Sequence, residues 1–265
     1  MPAPEDLTDT ALIVATLREA GSIARRYFHG SYRSWRKSDG NPVTEADIAV
    51  NDFLHKALLA ERPDYGWLSE ESADDPARLS KKRVFIVDPI DGTYGFLKHR
   101  PQFTIVAAVV AKGRPVAAGI YNPLTEEMFE AAASHGAKKN SEPIGVSSKG
   151  DFALARLLAS RSFIDDRDWA TPWPAEMTVE TRASIAYRMA LVAAGEFDAM
   201  ISLSGKGDWD VAAADLIVSE AGGRVTTGTG AMLSYNHPVP AQESVICANP
   251  ALHGRLLERL KELRR

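Results

Sequence analysis

The sequence predicts an α/β protein, α+β in its N-terminal half and α/β in its C-terminal half. Three observations carry that expectation. The chain opens with two stretches whose apolar residues recur at helical spacing. Short apolar runs separated by turn residues fill the rest of the first half. Beyond them, strand-like and helix-like segments alternate. The halves are expected at residues 1–143 and 144–265, with the boundary in the stretch 141–148.

Residues 5–28 read as a helix with Leu7, Ala11, Val14, Leu17, Ala20 and Ile23 as its apolar positions. The loop chemistry of Lys37-Ser38-Asp39-Gly40-Asn41-Pro42 follows. Thr44 then opens a second helix, because Thr44-Glu45-Ala46-Asp47 has the spacing of a capping box. Ala49, Phe53, Leu54, Ala57 and Leu58 are its apolar positions. Strands are expected at 66–69, 84–87, 103–111, 116–121 and 127–132, in a mostly antiparallel sheet. In the second half, 157–160, 199–203 and 244–248 read as strands. Helices are expected at 184–194, stopped by Gly195, at 211–221, closed by Gly222-Gly223, and from Pro250 onward.

Composition narrows the function. The 265 residues are 45% hydrophobic and 25% charged, an ordinary balance for a globular chain with a sizeable core. A net charge of −4 offers no broad basic surface, so nucleic acid is not an expected partner. The single cysteine, Cys247, lies in an apolar run; it excludes an intrachain disulfide and fits a reducing, cytoplasmic setting. No apolar run reaches the ~20 residues that span a bilayer, and MPAPEDLTDT shows no signal pattern.

The chemistry concentrates in acidic residues. Glu70-Glu71 and Asp88 each follow an expected strand, Asp91 lies three residues further on, Asp210 sits at the start of a helix, and Asp47 lies in the first turn of the second helix. Strand ends and helix starts face the edge of a layered α/β protein where ligands bind. Within Asp88-Pro89-Ile90-Asp91-Gly92-Thr93, Pro89 stiffens the turn and Gly92 permits a conformation other residues avoid. Thr93 starts a short helix, which turns the N–H groups of Gly92 and Thr93 outward in a phosphate-binding geometry. Two carboxylates this close repel each other unless a cation lies between them. A hard divalent ion such as magnesium satisfies both and bridges to a phosphate oxygen. Taken singly, each acid has a plainer reading: a turn, a solvated pair or a helix cap. Their joint order along the chain makes the case.

These residues resemble the inositol monophosphatase superfamily of metal-dependent, lithium-sensitive phosphatases. The resemblance runs through Asn41-Pro42-Val43-Thr44-Glu45-Ala46-Asp47, Leu68-Ser69-Glu70-Glu71-Ser72, Asp88-Pro89-Ile90-Asp91-Gly92-Thr93, Trp209-Asp210-Val211-Ala212-Ala213 and Glu220-Ala221-Gly222-Gly223. It implies a layered α-β-α-β-α sandwich, shared with the fructose-1,6-bisphosphatase type, and commonly a homodimer. It implies two to three magnesium ions. Glu70, Asp88 and the carbonyl of Ile90 would hold one, and Asp88, Asp91 and Asp210 a second, with a third, weaker ion leaning on Glu70. The catalytic set would be Asp47, Thr93 and Glu70, with Thr93 and Asp47 activating the water. The N–H groups of Gly92 and Thr93 would grip the phosphate of a small phosphomonoester.

The substrate is left open between inositol monophosphate and 3′-phosphoadenosine 5′-phosphate. Inositol-specific members carry a substrate-binding acid seven positions before the metal aspartate, where this chain has Leu203. The segments 37–44, Phe103-Thr104-Ile105 and Ser160-Arg161-Ser162 are closer to the bisphosphate nucleotidase branch. A second phosphate needs a second cation, for which Lys206, Arg161 and Arg188 are candidates. Histidinol phosphate, a sugar bisphosphate, or a non-catalytic binding role on the same fold are the alternatives.

Overall fold

Both faces of the principal strands are covered, and this is why their sequences run apolar without alternating. The computed structural model describes residues 4–38, 40–165 and 167–263, and of Arg161 only the backbone. The chain begins with α1 (Pro4–Phe28), a hairpin of β1 (Ser34–Arg36) and β2 (Pro42–Thr44), and α2 (Glu45–Glu61). There follow β3 (Gly66–Ser69), β4 (Arg83–Asp91), the short α3 (Thr93–Leu97), β5 (Thr104–Ala111), β6 (Arg114–Asn122), β7 (Glu127–Ala132), β8 (Ala137–Lys139) and β9 (Glu142–Ile144). Strands β3 to β9 form one seven-stranded sheet in chain order, antiparallel except for the β3–β4 pair.

The second half holds β10 (Arg156–Leu158), α4 (Arg161–Asp165), β11 (Thr178–Glu180), α5 (Ile185–Ala193), β12 (Ala199–Ser202), β13 (Lys206–Gly207) and α6 (Asp208–Glu220). It ends with β14 (Arg224–Thr226), β15 (Ala241–Gln242), β16 (Val245–Ala248) and α7 (Pro250–Lys261). A five-stranded sheet runs β11-β10-β12-β16-β14, and β13 pairs with β15 apart from it.

Side-chain alternation sorts these elements into five layers. On β4 and β5, Phe85, Val87, Ile105, Ala107 and Val109 pack against α1 and α2. Val84, Ile86, Val106, Ala108 and Val110 point the other way, into a core shared with α5 and α6. That core reaches the second sheet through Leu158, Met200 and Cys247. Leu157, Ile201 and Ile246 face outward onto Leu252 and Leu256 of α7. The result is the expected α-β-α-β-α sandwich, with α5 and α6 between the sheets. Cys247 is a fully buried member of the central core.

Two expected helix faces are rotated. On α1 the buried residues include Asp6, Asp9, Ile13, Leu17, Ala20 and Ala24, while Leu7 is 48% exposed. The expected face followed the apolar residues alone, and ion pairs described below let Asp6 and Asp9 go in instead. On α2 the stripe is Ala46, Asp47, Val50, Asn51, Leu54 and Leu58, and Ala49, Phe53 and Ala57 are half-buried. Here a buried hydrogen-bond partner at Asn51 turns the helix, accepting from Ser69 Oγ at 2.7 Å. Strand β4 also runs longer than expected, through Asp91, with a break in register between Asp88 and Asp91. Asp88 and Asp91 therefore stand on a bulged strand end rather than in a loop beyond it.

Candidate active site

The site lies where β3 and β4 end and the N-termini of α2, α5 and α6 arrive. Each of those helices contributes through its first turn. Thr44 caps α2: its hydroxyl accepts from the N–H groups of Ala46 and Asp47, and its own N–H donates to Asp47 Oδ2 at 2.8 Å. Asp47 is thus held by the cap it completes. Its other oxygen, Oδ1, accepts from Thr93 Oγ at 3.1 Å. Asp210 repeats the pattern on α6, with Oδ2 accepting from Gly207 N–H at 2.7 Å. A β-carbon at Gly207 would meet the Trp209 ring at 2.3 Å, so a larger residue here would have to displace that ring.

Asp91 meets the third helix. Its Oδ2 accepts from Ser184 Oγ at 2.5 Å and Ala186 N–H at 2.6 Å, and its Oδ1 from Ile185 N–H at 3.2 Å. It stands across the start of α5, where the helix dipole favours negative charge. Between Asp91 and Thr93, Gly92 adopts φ +95°, and a β-carbon there would press on Gln102 O and Ser184 N, both at 3.0 Å. Only glycine joins the strand to α3 at this spot. Asp88 Oδ1 accepts from Ile90 N–H at 3.0 Å, whereas Asp88 Oδ2 is buried without a hydrogen-bond partner. The side chain of Ile90 packs in the core beneath, and its carbonyl accepts from Thr93 Oγ at 3.1 Å.

The structure brings Glu70, Asp88 and Asp210 together: one oxygen from each lies within 4.8 Å of the others. Ile90, Asp91, Gly92 and Thr93 line the same cavity of about 540 Å³. Asp47 adjoins it through Thr93. Lys206 and Arg188 form its far wall. Arg161 opens α4, and its side chain lies outside the described residues.

Lys37 is the residue that sequence reasoning missed. It reaches over from the β1–β2 loop to Glu70 Oε1 at 2.9 Å and Glu71 Oε1 at 2.6 Å. Its place in the loop chemistry before Asn41-Pro42 was the only available signal. Asp39 of that loop lies outside the described residues.

The electrostatics are those of crowded acids. Burial, and then Glu70, Asp91 and Asp210 nearby, hold the Asp88 carboxyl well above the usual range. Burial with Asp91 and Glu70 pushes Asp210 up to about 8. Burial raises Asp91 to about 6 against the bonds from Ser184, Ala186 and Ile185. Asp47 is raised to about 6, by burial first. Glu71 rises to about 7 through burial, although Lys37 opposes it.

The donor set fits a hard divalent cation. Every available ligand is a carboxylate or carbonyl oxygen, three converge, and one of them has an orphaned buried oxygen. Among the described residues, Lys37 is the one side-chain ammonium ion-paired with the trio, and of the three it reaches Glu70 alone.

The sequence profile of the inositol monophosphatase family matches residues 5–265. An inositol-1-monophosphatase of Caulobacter vibrioides is 31% identical over 85% of this chain and 90% of its own length. A 3′(2′),5′-bisphosphate nucleotidase CysQ of Salmonella typhimurium is 32% identical over 82% of this chain and 90% of its own. The crystal structure of the extragenic suppressor protein SuhB from Bartonella henselae superposes with a TM-score of 0.82 at 28% identity, covering 95% of this chain and 98% of that one. With its sandwich, its clustered acids and relatives matched along nearly their full length, the chain belongs to the inositol monophosphatase family.

Proposed function

We propose that the protein is a magnesium-dependent phosphatase that releases inorganic phosphate from a small phosphomonoester. The observation that carries this reading is the convergence of Glu70, Asp88 and Asp210 with the buried, unpartnered Asp88 Oδ2. Glu70, Asp88, Asp91, Asp210 and the Ile90 carbonyl would hold two to three ions. Bound there, the ions supply positive charge that polarises the phosphoryl group and lowers the pKa of water.

The chain's own residues do the rest. The hydroxyl of Thr93 bonds either Asp47 or the Ile90 carbonyl and presents its lone pairs to a water. Asp47, raised to about 6, is matched to accept that water's proton near neutral pH. The N–H groups of Gly92 and Thr93 hold the phosphoryl oxygens, and the α5 and α6 N-termini add their dipoles to the same pocket. Water oxygen bonds to phosphorus, one water proton passes towards Asp47, and the ester O–P bond breaks with its pair on the alcohol oxygen. That oxygen takes a proton from solvent.

We further propose a homodimer working in the cytoplasm, on the family resemblance and on a lone thiol that is buried. The test of the main reading is phosphate release from a panel of small esters with and without magnesium. Release that requires the metal is expected, and metal-independent or absent release overturns it.

A further inference from the structure

Three carboxylates gathered within 4.8 Å push apart the segments that carry them. Asp88 is held by β4, which is paired on both sides. Glu70 is tied to the same strand, its N–H donating to the Val87 carbonyl at 3.3 Å. Asp210 arrives on α6, from the other half of the chain, and its segment needs a tie of its own. A buried polar network outside the acidic cavity supplies one.

The network starts at Arg78, 2% exposed, on the 3₁₀ turn Pro76–Ser80. This turn sits against β3, where a β-carbon at Gly66 would meet Arg78 Cβ at 3.0 Å. Arg78 Nε and Nη2 donate to the two oxygens of Asp74 at 2.6 and 2.8 Å. Its Nη1 donates to Asn236 Oδ1 at 2.6 Å, and Nη2 also to the His237 carbonyl at 3.0 Å. The Asn236 N–H then donates to Asp208 Oδ2 at 2.9 Å, and Gln242 Nε2 to Asp208 Oδ1 at 2.7 Å. Asp208 is 0% exposed and is the first residue of α6, two before Asp210. Its own N–H donates to the Pro240 carbonyl at 3.0 Å.

The path therefore runs from β3, which ends one residue before Glu70, through Arg78 and the segment 234–242 to the first turn of α6. A carboxylate at a helix start commonly serves that helix. Asp208 instead turns both oxygens to the segment 234–242 and leaves the capping contact with Gly207 N–H to Asp210. The guanidinium is suited to its place, because its planar fork makes four bonds to three partners, which an ammonium cannot do.

We infer that Arg78 is a positioning residue for the metal site: it holds the first turn of α6 against the segment after β3, so that Asp210 stands beside Glu70 and Asp88 before an ion binds. The inference rests on the phosphatase reading and deepens it by naming what preorganises the acids. Arg78 is not among the residues that line the acidic cavity, and it acts through Asn236 and Asp208.

The test titrates the protein with manganese alone and counts the free ion by electron paramagnetic resonance, at a temperature where each variant is folded. Arg78→Met keeps the length of the side chain and removes the fork. It should weaken manganese binding about 10-fold, as does loss of a residue that orients metal ligands. Asn236→Gly leaves the left-handed backbone open (φ +62°) and removes one acceptor, so it should weaken binding by a smaller factor. It also carries the comparison should Arg78→Met not fold. Arg83→Leu breaks a buried ion-pair cluster at the opposite end of β4 from Asp91 and should bind manganese as the wild type does. In turnover, the half-saturating magnesium concentration should rise in Arg78→Met while kcat at saturating magnesium changes little. Unchanged manganese affinity in the folded variants of the network overturns the inference, and so does an equal loss in Arg83→Leu. If Arg78→Met weakens manganese binding but no ester is hydrolysed by the wild type, the phosphatase reading falls and the positioning role stands. A wild type that binds no manganese overturns both.

Discussion

Two groups of buried carboxylates in the molecule are treated in opposite ways. At the start of α1, Asp6 and Asp9 are 4% and 0% exposed. Arg83 reaches Asp6 at 2.8 Å and Asp9 at 3.0 Å, Arg62 reaches Asp9 at 2.8 Å, and Tyr65 donates to it at 2.8 Å. Burial and Asp9 together raise the Tyr65 phenol to about 12, so it stays a donor. In the acidic cluster of the candidate site, Asp88 is 1% exposed and one of its oxygens has no partner. The difference teaches how to tell a buried acid that holds the fold from one that awaits a ligand. The first is neutralised by arginines of its own chain. The second is surrounded by further acids, and its pKa records the deficit.

The largest expected effect breaks the paired cluster. Arg83→Leu removes the arginine that two buried carboxylates share and should cost about 3–5 kcal/mol of unfolding free energy, measured by urea denaturation. Turnover per folded molecule should persist, since Arg83 lies outside the site.

The matching change in the unpaired cluster has a different signature. Asp88→Asn should lower kcat/KM at least about 100-fold, or about 2.7 kcal/mol. It should also raise the melting temperature of the metal-free protein, because it removes a repelled charge, whereas Asp9→Asn should lower it. Melting temperatures that fall equally in both variants would dissolve the contrast.

The third prediction concerns pH. Asp47 and Asp91 at about 6, Glu71 at about 7 and Asp210 at about 8 are all raised above their unfolded values. The folded state therefore binds protons more tightly than the unfolded chain. That contribution is complete below about pH 4, the ordinary carboxylate range, and is lost as pH rises through about 6 to 8. Metal-free protein should melt lower at pH 8 than at pH 5. Magnesium should raise the melting temperature more at pH 8, by about 2–4 °C for each kcal/mol of linkage. Differential scanning fluorimetry with and without chelator reads both. A magnesium shift that is equal at the two pH values would count against a metal held by these acids.

The smallest effect tests whether the site's scaffold is ordinary helix chemistry. Thr44→Ala removes the α2 cap and should cost about 0.5–2 kcal/mol of stability, measured by denaturant midpoint.

Much of this was legible beforehand, for identifiable reasons. Thr44 and Asp47 announce a helix start because capping is local, and the structure contains that capping box. The strand 66–69 and the helix at 250 were readable from runs bounded by turn residues. The expected acids stood near the ends of such elements, and the layered fold gathers Glu70, Asp88 and Asp210. The face of α1 was misread because the partners that admit Asp6 and Asp9 lie far along the chain, at Arg62 and Arg83. Lys37 was overlooked because nothing local says that its ammonium will meet Glu70 and Glu71.

By itself, then, the sequence determined the principal helices and strands and the family, since these depend on periodicity, caps and short motifs. Only the tertiary structure decided which carboxylates are neutralised and which are left open. It also decided that Arg78 ties the segment after β3 to the loop that anchors the start of α6. Those outcomes depend on pairings between segments remote in sequence, and electrostatic energy follows distance in space, not position along the chain.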